Sequence, residues 1–208
     1  DFMIRVGMMN PMYMPRIKQN LIESYDNEKV FKFLHIPVQS GSDKVLNDMK
    51  RGHTSETFRE IVKKTKKRFE NFTISTDIIV GFPSETEEDF QKTIALLDET
   101  KPDVVNLSKY SARPGTDAAE LKQIDAAEIK RRSKVIFDQI NKISLKSNEK
   151  WIGWKGKVLF DENTEEGIKG RNYAYKPISI DEKVNIGQSH IVEITKATRK
   201  RLIGKIAS

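Results

Sequence analysis

The first 147 residues alternate between two hydrophobic patterns. Four short apolar runs predict strands, at residues 3–8, 30–36, 72–81 and 104–108. The segments between them repeat apolar positions at helical spacing, and Ser42, Thr54 and Thr86 stand where helix N-caps are expected. A long basic helix is predicted over residues 126–147. Strands that alternate with helices are typical of βα units around a parallel sheet.

Residues 148–208 follow a different pattern. Their short apolar runs lie at residues 157–160, 178–180, 190–194 and 202–206, separated by glycines and without a helical period. This pattern predicts a small all-β barrel. The chain is therefore expected to contain two domains, an α/β domain over residues 1–147 and a β-barrel over residues 148–208.

Composition narrows the range of functions. The 208 residues include 37 Lys+Arg against 30 Asp+Glu, a formal charge of +7, and the last 60 residues carry +4 of it, with 12 basic against 8 acidic residues. The longest apolar runs fall well short of the ~20 residues that span a bilayer, so we expect no membrane association and a cytoplasmic location. The sequence contains no cysteine. These residues therefore cannot ligate an iron–sulfur cluster through thiolates, and we predict no metal ligand among them.

The predicted strands end in segments suited to ligand binding. Residues 35–41, 77–83 and 109–115 follow three successive strands and are rich in proline, glycine and polar side chains. Because parallel strands bring their carboxyl ends to one edge of a sheet, these three segments are expected to meet there. Each alone is equally well explained as a loop with turn-forming residues, but three at one edge favour a binding site.

Three sequence blocks resemble the radical S-adenosylmethionine (SAM) methylthiotransferases. They are FLHIPVQSGSD at residues 33–43, TDIIVGFP at residues 76–83 and RPGT at residues 113–116. VGMMNP at residues 6–11 is similar to the archaeal and eukaryotic branch that modifies N6-threonylcarbamoyladenosine in tRNA. The last 60 residues, with GR at 170–171 and YKP at 175–177, resemble a TRAM domain. The resemblance implies an α/β fold, the second half of a radical-SAM partial (βα) barrel, followed by a small OB-like TRAM barrel.

The resemblance also implies cofactor-binding roles. Gln39 and Asp77 correspond to residues that hydrogen-bond the ribose hydroxyls of SAM, and Arg51 to one that binds its methionine carboxylate, an anion that a guanidinium suits. The residues expected to flank the adenine are Gly81, Phe82, Pro83, Tyr110 and Ala112. The family's looser GxIxGxxE signature places a glutamate where Ser84 stands, with Glu85 one position later.

RNA contacts are expected from basic and aromatic side chains, because single-stranded loops bind such mixtures through phosphates and stacked bases. The residues we assign to RNA are Arg113, Arg171, Tyr173, Tyr175, Lys176, Arg199, Lys200 and Arg201. By composition alone a small β-barrel of this kind binds proteins or sugars equally well. The lysine-rich segment 63–68 is expected to be the solvated face of a helix, with an RNA footprint as the minority interpretation.

The resemblance implies that the complete enzyme carries two [4Fe–4S] clusters and uses a 5′-deoxyadenosyl radical to insert a methylthio group at C2 of N6-threonylcarbamoyladenosine beside the anticodon. We therefore expect the chain to be the carboxyl-terminal part of that enzyme, without its amino-terminal domain and first half barrel, and inactive alone. Its expected partner is the tRNA anticodon loop; the oligomeric state is not predicted. The alternatives are a methylthiotransferase for a ribosomal-protein aspartate and an inactive RNA-binding module.

Two predicted site residues have structural alternatives. Asp77, in an apolar strand, is also explained as a buried acid paired with Arg51 or a lysine. His35 is expected to be a core or rim histidine and not a ligand, because the sequence places no metal-ligating residue at suitable spacing nearby.

Overall fold

The computed structural model describes residues 2–164 and 167–207, and its first part is an α/β unit. A 3₁₀ turn, Pro11–Tyr13, precedes the helices. The helices of this unit are α1 (Met14–Ser24), α2 (Asp43–Asp48), α3 (Ser55–Arg68), α4 (Glu87–Thr100), α5 (Asp117–Glu120) and α6 (Ala126–Glu149). The strands are β1 (Phe33–His35), β2 (Thr73–Val80) and β3 (Val104–Lys109). They form a parallel sheet in the order β1-β2-β3.

The predicted helix starts are confirmed. The side chains of Ser42 and Thr54 accept hydrogen bonds from backbone N–H groups in the first turns of α2 and α3. Thr86 and Asp89 form a reciprocal capping box at the start of α4. These short helices place their apolar faces on the sheet, and residues such as Phe58, Ile74 and Phe90 are fully buried in the resulting core.

The prediction of a strand at residues 3–8 was wrong. Within the described residues this segment makes only two isolated parallel bridges, Ile4 to Val30 and Met8 to His35. The two bridged residues are four positions apart in segment 3–8 and five positions apart in the partner segment. The two segments therefore shift by one residue relative to each other between the bridges. This slip prevents the continuous ladder that a strand requires.

The second part of the chain closes into a five-stranded barrel, as predicted. Its strands are β4 (Lys155–Thr164), β5 (Gly167–Arg171), β6 (Pro177–Ile180), β7 (Ser189–Ala197) and β8 (Leu202–Ile206). They pair in the order β4-β5-β6-β8-β7, and β7 returns to β4. Five strands closed in this way are the size of an OB fold. Helix α6 continues to Glu149, two residues beyond the predicted boundary at 147.

The barrel packs under the amino-terminal ends of the sheet strands. The backbone N–H of Lys32 donates to the carbonyl of Tyr173 at 2.8 Å, and the Tyr175 ring lies 5.1 Å from that of Phe33. A buried ion pair between Asp103 and Lys176 joins the start of β3 to the barrel at 2.9 Å. The barrel therefore lies at the opposite end of the strands from the loops that follow them. None of the helices in the described residues is long and apolar enough to cross a membrane.

Candidate functional site

A cavity of about 830 Å³ lies at the carboxyl-terminal edge of the parallel sheet. Each of the three strands contributes lining residues, both from the strand itself and from the loop that follows it. The structure brings six of the predicted site residues to this cavity, namely Gln39, Arg51, Asp77, Phe82, Tyr110 and Arg113. The expectation that the three strand-end segments share one edge is therefore confirmed by the geometry, whereas the role of each residue stays a prediction.

Gln39 enters the cavity from a strained backbone position. Its φ is +74°, in the left-handed region, which costs a residue with a side chain about 1–3 kcal/mol. The N–H of Gln39 donates to the carbonyl of Asp77, and the N–H of Ile79 donates to the carbonyl of Gln39, both at 2.9 Å. These two bonds hold Gln39 beside β2 beyond the end of β1. Its Oε1 atom is buried and has no hydrogen-bond partner within the described residues.

Arg51 follows the carboxyl end of α2. Lys50 adopts a left-handed φ of +57°, and the N–H of Arg51 returns to the carbonyl of Leu46 at 3.0 Å, so the chain leaves the helix in a fixed turn. The Nε atom of Arg51 is buried, and the described parts of the chain offer it no hydrogen-bond acceptor. Arg51 and Gln39 both line the cavity, and each also holds a buried polar atom without a partner in the described residues, a feature that calls for a ligand or a water.

Asp77 lies at the centre of a polar row that crosses the sheet. Its Oδ1 atom is 2.8 Å from His35 Nε2 on β1 and accepts a hydrogen bond from Asn106 Nδ2 on β3, also at 2.8 Å. The alternative in which Asp77 pairs with Arg51 or a lysine is wrong, because its Oδ1 atom instead contacts the side chains of His35 and Asn106. The Oδ2 atom accepts no hydrogen bond from the residues that the structure describes. His35 lies at the rim, one of the two positions expected for it, and its pairing with Asp77 was not predicted.

The predicted adenine-side residues are only partly brought together. Phe82 and Tyr110 contact each other edge to face, with ring centroids 5.1 Å apart, and both line the cavity. Gly81, Pro83 and Ala112 lie in the same loops but outside the lining. The N–H of Gly81 donates to Glu85 Oε2 at 2.9 Å, so this amide is already used. Gly81 has a φ of +82°, which the turn requires, and its expected place beside the adenine stays a prediction.

Sequence analysis missed a buried ion pair behind this turn. Arg132, on α6, donates from Nη1 to Glu85 Oε2 at 2.8 Å and to the Glu85 carbonyl at 3.0 Å. Burial raises the pKa of Glu85, although the Gly81 amide and Arg132 oppose the shift. The pair attaches the long helix to the loop after β2. Glu85 thus provides a carboxylate one position after the one that the family signature specifies.

Comparison with known proteins identifies the family. Residues 2–97 match the model of the Radical SAM superfamily. Over its whole length the chain is 45% identical to a probable threonylcarbamoyladenosine tRNA methylthiotransferase of Archaeoglobus fulgidus and 42% identical to one of Pyrococcus abyssi. The chain belongs to the radical SAM methylthiotransferase family. It spans about half the length of these two relatives, 49% of each.

A eukaryotic protein and a solved structure are less similar to this chain. A threonylcarbamoyladenosine tRNA methylthiotransferase of Drosophila pseudoobscura is 34% identical over 98% of the chain, which covers 37% of that protein. A solved structure, coproporphyrinogen III oxidase of Escherichia coli, is 18% identical and aligns with a TM-score of 0.46 over 70% of this chain and 39% of its own.

The residues predicted to contact RNA differ in exposure. The exposed ones are Arg113, Tyr173, Arg199 and Lys200, and the partly buried ones are Arg171, Tyr175 and Arg201. Arg113 lies at the rim cavity and not on the barrel. Tyr175 packs against Phe31 and Phe33 of the α/β unit, with the Arg171 guanidinium 4.6 Å from its ring centre.

Lys176 does not have the predicted surface position. Its side chain is 3% exposed, and Nζ donates to Asp103 Oδ1 at 2.9 Å and Asn148 Oδ1 at 3.0 Å. An ammonium that is buried and fully hydrogen-bonded within the protein has no donor left for a phosphate. We therefore correct the prediction: Lys176 joins the barrel to the α/β unit and does not contact RNA.

Proposed function

We propose that this chain is the cofactor- and RNA-binding part of a tRNA methylthiotransferase. The complete enzyme would add a methylthio group to C2 of N6-threonylcarbamoyladenosine beside the anticodon. The names of the relatives support the substrate, and their similarity to this chain over its whole length supports the transfer of that function. The observation that carries the proposal is the rim cavity, because its lining combines the hydrogen-bonding and aromatic groups that SAM needs.

Three chemical parts of SAM have matching groups in the cavity. The ribose hydroxyls are donors and acceptors, which suits the Oε1 atom of Gln39, unpaired within the described residues, and the carboxylate of Asp77. The methionine carboxylate suits the guanidinium of Arg51. The adenine is a flat apolar ring with polar edges, and Phe82 and Tyr110 offer aromatic surface for it. His35 and Asn106 keep Asp77 oriented by hydrogen bonds to its other oxygen.

The complete enzyme is proposed to hold two [4Fe–4S] clusters, whose thiolate ligands must come from outside these 208 residues because they include no cysteine. When bound, a reduced cluster supplies the electron that cleaves SAM and starts the radical chemistry. The residues of this chain position SAM and keep water from it. Phe82, 5% exposed, closes one side of the cavity with an apolar ring.

The proposed partner is the anticodon loop of tRNA, a single-stranded segment whose bases are open to stacking and hydrogen bonding. On the barrel, Tyr173 is 38% exposed, and Arg199 and Lys200 are exposed in the turn before β8. Because the barrel and the rim cavity lie at opposite ends of the strands, a tRNA that reaches both must extend along the α/β unit.

Nucleoside mass spectrometry tests this function. Deletion of the gene that encodes the chain is expected to leave tRNA with N6-threonylcarbamoyladenosine and without its 2-methylthio derivative. Expression of the complete wild-type gene should restore the derivative, whereas the Asp77→Ala gene should not, with Arg16→Ala, an exposed residue on α1, as the matched control. Unchanged 2-methylthio nucleoside after deletion would refute the proposal.

A further inference from the structure

Five lysines line one cleft of about 440 Å³ at the amino-terminal side of the sheet. The cleft lies between the helices and the barrel, at the opposite end of the strands from the rim cavity. Its lysines come from α3, from α6 and from the residues that directly follow α4 and α6. They are Lys66, Lys101, Lys142, Lys146 and Lys150.

Two lysines of α6 and the lysine that follows its last residue form a stripe along one face of the helix end. Lys142, Lys146 and Lys150 are spaced four residues apart, which is about 6 Å of rise per step. All three are exposed. Opposite the stripe, Lys66 Nζ donates to the carbonyls of Thr100 at 2.8 Å and Lys101 at 3.0 Å. The cleft thus has positive charge on two walls.

The positive charges of the cleft are not neutralised by its acids. Asp103, at the cleft floor, is already paired with Lys176. The other two acidic residues of the lining are Glu70 and Asp98, so five lysines face three carboxylates, one of them engaged. Burial lowers the pKa of Lys66; the charge of Asp103 opposes this shift, and the charges of Lys150 and Lys101 add to it. An anion placed in the cleft would relieve this repulsion.

The cleft continues onto the exposed aromatic surface of the barrel. Trp151 lies in its lining, and the Trp151 ring is 5.9 Å from that of Tyr173. The side chain of Asn71, another lining residue, lies close enough to Tyr173 to affect the pKa of its hydroxyl. On its other side, Tyr173 borders a second groove with Arg171. Basic side chains in a row with an exposed aromatic ring among them are typical of a path for a nucleic-acid strand.

We propose that this lysine cleft binds the phosphate backbone of the substrate RNA, as a contact separate from the barrel residues Arg199 and Lys200. The inference rests on the proposed function for its ligand class. Lysine ammonium groups attract phosphates as point charges and do not distinguish one base from another. The cleft therefore holds the RNA in place irrespective of its sequence. The lysine-rich segment 63–68 then serves RNA binding through Lys66, and is not only a solvated helix face.

Binding of unfractionated tRNA to the 208-residue chain tests the inference, by fluorescence anisotropy across a salt series. The variant is Lys142→Ala/Lys146→Ala, and the control is Lys130→Ala/Lys134→Ala, which removes two exposed lysines from the same helix outside the cleft. Each lysine–phosphate contact contributes about 0.7 to the slope of log K against log salt concentration, here called the salt slope. Removal of two contacts should therefore lower the salt slope by about 1.4 and weaken binding roughly 10- to 25-fold at 0.1 M salt. The control should change affinity by about twofold or less, because screening limits distant charges.

The possible results separate this inference from the proposed function. If wild-type chain binds tRNA and both variants retain its affinity and slope, the cleft is not an RNA site, and the barrel alone carries the contact. If the wild-type chain binds no tRNA although tRNA from the deletion strain lacks the 2-methylthio nucleoside, the inference fails and the proposed function stands. If poly-glutamate binds as tightly as tRNA and loses affinity with the same variant, the cleft binds an acidic protein instead. Equal thermal unfolding of both variants verifies that the fold is intact.

Discussion

The ion pair between Lys176 and Asp103 lies where the barrel meets the α/β unit. A substitution of Lys176 therefore tests whether the two units pack against each other as the structure shows. Lys176→Met removes the ammonium but keeps a side chain of similar length and flexibility. In the wild type, Lys176 Nζ donates to Asp103, to Asn148 and, at 3.3 Å, to Ser147 Oγ. The substitution therefore leaves a buried carboxylate without its charged partner.

The expected loss of stability follows from this geometry. Removal of one partner from a buried ion pair costs about 3–5 kcal/mol. Asp103 keeps the N–H of Ile74 at 2.9 Å and the Ser147 hydroxyl as donors, which places the cost at the lower end, about 3 kcal/mol. In a chain of this size each kcal/mol lowers the melting temperature by about 2–4 °C, so we expect a decrease of about 6–12 °C.

The effect should depend on pH. Burial alone raises the pKa of Asp103, but the charge of Lys176 and the hydrogen bonds from Ser147, Ile74 and Lys176 outweigh it and lower the pKa. A lowered pKa means that the stability from the ionised carboxylate is present above the unfolded pKa of about 4 and is lost as the pH falls through the folded pKa. The difference between wild type and Lys176→Met should therefore narrow below about pH 4.

Urea unfolding at neutral pH, followed by circular dichroism, measures the difference. Lys205→Met, an exposed substitution on β8, is the control and should change the free energy of unfolding by about 0.5 kcal/mol or less. A loss below about 1 kcal/mol for Lys176→Met, or a loss equal to the control, would show that Lys176 is not buried against Asp103 and that the barrel does not pack as described.

Two further substitutions test the turn after β2 and the barrel surface. Arg132→Met should lower the free energy of unfolding by about 3 kcal/mol because it leaves Glu85 buried without its guanidinium, whereas Arg131→Met, which removes exposed ion pairs, should cost about 1 kcal/mol or less. Equal urea midpoints for the two variants would contradict the buried pair. Arg199→Ala/Lys200→Ala should lower the salt slope of tRNA binding by about 1.4, and an unchanged slope in anisotropy titrations would remove these residues from the RNA surface.

Local features of the fold were predictable from the sequence. The capping box of Thr86 and Asp89 uses two residues three positions apart, so both its partners are visible in one short segment. The same holds for the N-caps Ser42 and Thr54. The two strongest strands, β2 and β3, were predicted within about one residue of their ends because their apolar runs are bounded by polar or turn-forming residues.

Features that depend on distant residues were not predictable. The segment 3–8 is apolar enough for a strand, but its register against residues 30–35 slips, and only the folded partner reveals this. Strand β5 was not among the predicted runs because Gly167 and Gly170 interrupt its apolar pattern. At Gly170 a Cβ atom would lie 2.4 Å from the carbonyl oxygen of Leu159, so close packing of β4 and β5 requires glycine there.

The candidate site shows the same division. Gln39, Arg51 and Asp77 were predicted together because the resemblance and the strand ends point to one edge. Lys176 was misassigned because its basic character reads as surface charge, whereas its partner lies 73 residues away in sequence. The pairing of Arg132 with Glu85 spans 47 residues and carries no local signal, so it too required the folded structure.

The rim cavity is proposed to bind SAM through Arg51. Isothermal titration of SAM into the complete gene product measures this binding, with Arg51→Ala as the variant and Arg16→Ala as the control. Loss of a hydrogen-bonded charge pair costs about 1.5–3 kcal/mol, so Arg51→Ala is expected to weaken SAM binding by roughly 10- to 100-fold while the control binds like wild type. Equal SAM affinity in wild type and Arg51→Ala would show that Arg51 does not bind the cofactor.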